Sequence, residues 1–140
     1  MAVEWARKLG LRPGQRVLLI GAPTASAARL RSEAPSGVRF VRSPNVVVDQ
    51  VFCWPKDVRG LAAELARLQH RLDPDGSVWI VMPKKAFAAA RGIHFTWEAM
   101  QAEGLKGDFV DNKVARFDEQ DYATRFVLRK ERRGPRPTLA

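Results

Sequence analysis

Cysteine is nearly absent. The 140-residue chain has one, Cys53, so no internal disulfide can staple the fold. Histidine is almost as scarce, and His70 and His94 stand too far apart in sequence to share a metal with that cysteine. No apolar run approaches the ~18 residues needed to cross a bilayer, and Met1 to Leu11 has no apolar signal core. No internal repeat and no low-complexity tract is found. These absences exclude a disulfide scaffold, a zinc module and a membrane-spanning helix, and the chain reads as cytoplasmic. Carboxylates are also few, 15 against 24 lysines and arginines, for a formal net charge of +9. A surface field of that sign attracts anions.

What is present suits one α/β domain over residues 1–130, with 131–140 as a basic, flexible tail. From Arg129 onward, Arg129, Lys130, Arg132, Arg133 and Arg136 stand against Glu131 alone. Val17-Leu18-Leu19-Ile20 is a buried strand that stops at Gly21, and Thr24 is the expected cap of a helix over Ala25 to Glu33. Gly37 to Arg42 reads as a second strand and Gln50 to Trp54 as a third. These two are either parallel, with the few residues between them recrossing the sheet in extended form, or an antiparallel hairpin; the recrossing is favoured. Asp57 is expected to cap an amphipathic helix carrying Val58, Leu61, Leu65, Leu68 and Leu72 on one face. Ser77 to Met82 is apolar on both faces, as a parallel strand covered by helices should be. Thr96 caps another helix, with Phe95 and Met100 at the staple positions and Gly104 at its end. Asp108 to Phe117 and Tyr122 to Lys130 form a terminal antiparallel hairpin. Cys53, between Phe52 and Trp54, is expected to be a packed thiol, and His70 a surface side chain.

The segment Val17 to Ala25 resembles the first motif of class I S-adenosylmethionine-dependent methyltransferases, an acidic residue followed by G-x-G-x-G. Gly21 takes the first glycine, Pro23 the second and Ala25 the third, while Leu19 stands where the carboxylate would be. At the end of the second strand, where such folds place an acidic residue for the ribose hydroxyls, the chain has Arg42 and Ser43. Trp54-Pro55 resembles part of the Pro-Pro-aromatic tetrapeptide of amino methyltransferases, with Cys53 and Lys56 in place of its other members. The chain as a whole is similar to a family of short bacterial proteins of unknown function with a reduced methyltransferase-like Rossmann domain. The matching pieces are Lys8 to Gln15, Asp49 to Trp54 with Lys56-Asp57, Asp75 to Lys84, and Ala123 to Phe126. This resemblance implies a three-layer sheet of order 2-1-4-5, in methyltransferase numbering, followed by the hairpin. It carries over no catalytic residue.

With the loop at Gly21, Pro23 and Ala25 degenerate, the expectation is no cofactor, S-adenosylmethionine included, no metal and no catalytic residue. The function expected is a non-catalytic binding or regulatory module. Its anion-binding candidates are Arg42, Lys56, Lys84 and Lys85, at the carboxyl ends of the strands where open α/β sheets bind ligands. One alternative is a nucleic-acid-binding protein that uses Lys113, Arg116, Arg125, Arg129, Arg132 and Arg133 as phosphate contacts. The other is a divergent S-adenosylmethionine-dependent methyltransferase. The partner is accordingly an anionic ligand, nucleic acid or protein, and no membrane.

Overall fold

The computed structural model describes residues 2–139; Met1 and Ala140, the outer ends of the two expected segments, lie outside them. Six strands form one sheet of order β2-β1-β3-β4-β6-β5. They are β1 (Arg16–Ile20), β2 (Arg39–Val41), β3 (Val48–Cys53), β4 (Leu72–Pro83), β5 (Phe109–Arg116) and β6 (Asp121–Leu128). The first four are parallel, and β6 runs antiparallel between β4 and β5. The strands expected at Gly37 to Arg42 and Gln50 to Trp54 lie on opposite sides of β1, each parallel to it. The hairpin alternative is therefore excluded. Six residues, 42–47, return the chain to the other end of the sheet, about the 20 Å that so short an extended segment can span. Arg71 fastens this link by donating to the carbonyls of Val46 at 3.0 Å and Ser43 at 2.5 Å.

Alternation along the central strands builds two apolar layers. Val78, Ile80 and Met82 of β4 face Leu61, Leu65 and Leu68 of α3 (Leu61–Gln69) and Met100 of α5 (Trp97–Gly104). Trp79 and Val81 join the opposite layer with Ala6 of α1 (Ala2–Lys8), Leu9 and Leu30 of α2 (Thr24–Glu33). There Phe52 stacks on Trp79 at 6.1 Å between ring centroids. The result is the expected three-layer sandwich. Among the described residues no helix is long and apolar enough to cross a membrane.

Local signals held in part. Thr96 caps α5 as expected, its hydroxyl accepting from the Ala99 N–H at 3.1 Å. Asp57 does not cap α3: its carboxylate accepts from the backbone N–H and guanidinium of Arg59, and the helix starts later, behind Gly60. Those local bonds satisfy the aspartate before a helix can use it. Thr24 is the first residue of α2 and makes no side-chain cap, Pro23 standing at that position. A short helix, α4 (Lys85–Ala88), follows β4. Beyond β6 a single 3₁₀ turn (Lys130–Arg132) leads into the basic segment. There Arg136 pairs with Asp49 at 2.9 Å and Asp73 at 2.6 Å, near the start of β3 and β4.

Candidate functional site

The register of β1, β3 and β4 sets Ile20 beside Cys53 and Cys53 beside Ile80, so β1 and β3 finish together while β4 runs on to Pro83. The order reverses at β1, because the chain steps to β2 on one side and to β3 on the other. Such a switch point opens a crevice in α/β sheets. Gly21 turns out of β1 with φ +72°, and a Cβ there would sit 3.1 Å from the Trp54 carbonyl oxygen. Trp54 donates its own backbone N–H to the Ile20 carbonyl at 2.9 Å. Only a residue without a side chain suits both the backbone angle and the contact.

The crevice beyond this turn encloses about 130 Å³ between Gly21, Pro23, Trp54, Lys56, Pro83 and Arg91. Trp54 is nearly buried and packs edge-on against Phe117 at 5.6 Å, yet its indole N–H has no partner among the described residues. Arg91 is held by Asp121 through two bonds, Nη1 to Oδ1 at 2.7 Å and Nη2 to Oδ2 at 3.2 Å. Asp121 is 2% exposed, stands opposite Pro83 in the β4/β6 ladder, and is itself fixed by Asp118, which accepts from its N–H at 2.7 Å. The hydrogen bond to Asp121 raises the pKa of Arg91 further, so Arg91 stays charged with Asp121 as its counter-charge, and Lys56 is the crevice cation without an ion pair among the described residues. Asp121 escaped sequence reasoning because it reads as the last residue of a turn; its signal was its place at the start of a strand that borders β4.

A second recess of about 490 Å³ lies on the other side of the same loop, lined by Ala22, Thr24, Arg31, Phe40 and Arg42. The Arg31 guanidinium is 5.6 Å from the Phe40 ring centroid. Of the four anion candidates, Arg42 thus lines this groove and Lys56 the crevice. Lys84 instead donates to the Glu119 carbonyl at 2.8 Å, tying the end of β4 to the hairpin turn. Lys85 borders a separate recess with Phe95, Trp97 and Tyr122. The structure does not bring the four together.

The nucleic-acid candidates divide as well. Lys113 and Arg116 line a groove of about 820 Å³ between α1, α2 and β5, where Trp5 stacks under Arg29 at 3.8 Å. Arg125 is half-buried and donates to the Ser77 hydroxyl at 2.6 Å. Arg132 pairs with Asp108 at 3.4 Å, and Arg133 donates to the Leu128 carbonyl at 3.0 Å. Arg129 is anchored through its backbone, on the Asp108 carbonyl. Cys53 is buried, and burial, followed by the charge of Glu64, pushes its thiol pKa up to about 12. His70 is exposed, and no group of three metal-ligating side chains exists among the described residues.

No family model and no curated protein matches the chain. Its fold does match solved structures. An S-adenosylmethionine-dependent methyltransferase from Thiobacillus denitrificans, in complex with S-adenosylhomocysteine, superposes with a TM-score of 0.59 at 14% identity, covering 91% of this chain and 90% of that one. The cyclopropane synthase MmaA2 from Mycobacterium tuberculosis gives 0.57 at 13% identity, over 91% and 82%. The N-methyltransferase NodS from Bradyrhizobium japonicum gives 0.54 at 12% identity, over 92% and 93%. The chain has the Rossmann-like fold of class I S-adenosylmethionine-dependent methyltransferases.

This comparison corrects the expectation of no cofactor. The fold is shared with an S-adenosylmethionine-dependent methyltransferase whose structure holds S-adenosylhomocysteine, so a degenerate glycine motif is no ground for expecting no cofactor. Counting motif glycines misled because what shapes the turn is its backbone geometry, and Gly21 alone supplies it. The residues present fit the group in part. Lys56, Arg91 and the unpartnered Trp54 N–H are donors on residues that line the crevice, a set suited to a carboxylate, while the groove beyond the loop carries Arg42 where the family pattern has an acid.

Proposed function

We propose that the protein is a divergent methyltransferase that binds S-adenosylmethionine across the loop between β1 and α2. The observation that carries this reading is the pair of recesses flanking one loop at the switch point of a methyltransferase fold. The 490 Å³ groove falls within the ~300–1,000 Å³ typical of ligand sites and would take the nucleoside, and the smaller crevice the amino-acid end. Lys56 and Arg91 attract a carboxylate there, Asp121 keeps the Arg91 fork in place, and the Trp54 indole supplies a neutral donor. Arg42 replaces the usual ribose acceptor by a donor, which accounts for a site that departs from the sequence pattern. Bound S-adenosylmethionine would supply an activated methyl group on a sulfonium.

Calorimetry with S-adenosylhomocysteine tests the proposal without turnover. Saturable binding is expected, with affinity falling about tenfold in Trp54→Phe, the worth of one hydrogen bond to a charged group. A ligand at 100 times its dissociation constant stabilises the folded form by about 2.7 kcal/mol, so thermal unfolding reports the same event. No heat and no shift with either adenosyl compound at millimolar concentration would sink the reading.

A second reading, a non-catalytic module that holds the ligand, is favoured by one feature. Among the described residues no carboxylate lines the crevice, and the one that fixes Arg91, Asp121, is buried and committed to it. Binding without transfer of a labelled methyl group to any fraction of a cell extract would select it. We further propose kinship with short bacterial proteins of reduced methyltransferase fold, carried by the short link from β2 to β3 that replaces a helix, a strand and a second helix.

A further inference from the structure

At the other end of the sheet the charges are arranged differently. Arg125 of β6 stands directly opposite Lys113 of β5, on the same sheet face, and like charges so paired destabilise a ladder. Neither has a carboxylate partner among the described residues; Arg125 donates to Ser77, and Lys113 to the Lys8 carbonyl at 2.9 Å. Two more arginines are carried by segments tied to this end of the sheet. Ser77 is in register with Gln50, whose amide reaches the Gly10 carbonyl at 3.3 Å and so holds the turn that carries Arg12. Arg133 is brought back by its bond to the Leu128 carbonyl, with Arg136 pinning the segment beyond it. No salt bridge among the described residues includes Arg12, Lys113, Arg125 or Arg133, although Arg132 and Arg136 beside them find aspartates. On β4, Trp79 pairs with Arg125 in the ladder, and its buried indole N–H is also without a partner. Among the described residues Arg125 thus has a hydroxyl acceptor but no carboxylate, and of the polar atoms left without a partner nearby, one is the Trp79 donor and one the Gln50 side-chain carbonyl.

We propose that Arg12, Arg125, Arg133 and Lys113 form an anion site for a phosphate group, at the opposite end of the sheet from the cofactor crevice and independent of it. Burial of Arg125, together with the charges of Arg133 and Arg12, lowers its pKa, the direction expected of cations gathered with no counter-charge. A phosphate bridging the guanidinium forks would turn that repulsion into bidentate hydrogen bonds. The phosphate could be that of a small ligand or of a nucleic-acid backbone, and the two sources differ in how binding responds to salt.

The test has two arms. Thermal unfolding of the full chain is followed in sodium chloride and in sodium phosphate at equal ionic strength. Phosphate is expected to raise the midpoint by about 3–6 °C at ten times its dissociation constant. Arg125→Gln should lose that increment, and in chloride it should be no less stable than the parent, because relief of repulsion offsets the lost bond to Ser77. If Arg125→Gln fails to fold, the exposed Arg12→Ala and Arg133→Ala serve instead, each halving the increment or more. The second arm titrates a labelled single-stranded RNA of about 20 nucleotides at several salt concentrations. A backbone ligand predicts that Arg12→Ala reduces the salt slope by about one; unchanged RNA binding with a retained phosphate increment assigns a small phosphorylated ligand. Equal midpoints in phosphate and chloride, with RNA binding indifferent to these substitutions, would overturn the proposal.

Discussion

At the scale of single residues, the sheet leaves little room for change where side chains meet across layers. Gly104 ends α5 but not because of its backbone freedom: a Cβ there would lie 2.5 Å from the Phe126 ring. Gly104→Ala should therefore cost about 1–3 kcal/mol by overpacking, read from the urea midpoint. The double variant with Phe126→Leu should recover part of that loss, which a helix-capping role for the glycine would not permit. Cys53 makes a prediction in pH. Its folded pKa is raised to about 12 from an ordinary value near 9. The unfolded chain thus gives up the thiol proton first as pH rises, and stability falls between about pH 9 and pH 12 by up to ~1.4 kcal/mol per pH unit. Cys53→Ala should lack this added alkaline decline in guanidinium titrations, and the native thiol should stay unreactive toward thiol reagents at pH 8. Equal alkaline profiles for parent and variant would show that the buried thiol ionises without cost.

At the scale of elements, the terminal segment is the least like its sequence. Composition alone makes Arg129 to Arg136 a run of solvated charge, whereas Arg136 bridges Asp49 and Asp73 and so joins the start of β3 to the start of β4. The two carboxylates are about four-fifths buried and the arginine about half, so the pair lies between a surface salt bridge and a buried one. Arg136→Ala is expected to destabilise by about 1 kcal/mol at low salt, and by less above 0.5 M salt, as the exposed share is screened. No loss on removing residues 131–140 would leave the bridge without energetic weight. The same contrast explains what could be read ahead of the structure. Helix α3 and strand β6 were legible because their period decides which face is apolar, and the core of β4 because Ser77 to Met82 is apolar on both faces. The cap on α5 was legible because Thr96 has no competitor. Asp57 was not, since it finds Arg59 two residues on, and Asp121 was not, since a turn aspartate acquires its role only when β6 inserts beside β4. Contacts between residues far apart in the chain have no local period to announce them.

At the scale of the whole molecule, the order of the central strands followed from the resemblance to methyltransferase-like domains, and the short link between the second and third strands left few ways to close it. What counting could not give was where the +9 charge settles. Part of it is matched: Arg29, Arg59, Arg67, Arg91, Lys106, Arg132 and Arg136 each hold a carboxylate. Of the rest, Arg12, Lys113, Arg125 and Arg133 lie toward one end of the sheet, and Arg31, Arg42 and Lys56 line the loops at the carboxyl edge, without an ion pair among the described residues. Two opposing salt effects follow. Screening weakens the surface ion pairs, each worth ~0–1 kcal/mol, and relieves repulsion within the unmatched set. With the like charges concentrated and the ion pairs mostly exposed, the second effect dominates, so the unfolding midpoint should rise from 20 to 500 mM sodium chloride, over which the Debye length drops from roughly 20 Å to about 4 Å. The rise should shrink in Arg125→Gln, which removes a charge from the centre of the unmatched set, and grow in Arg136→Ala, which removes a matched pair whose screening opposes it. A midpoint that falls with salt in the parent would mean that the matched pairs govern stability, and that the unmatched charges are spread too widely to repel.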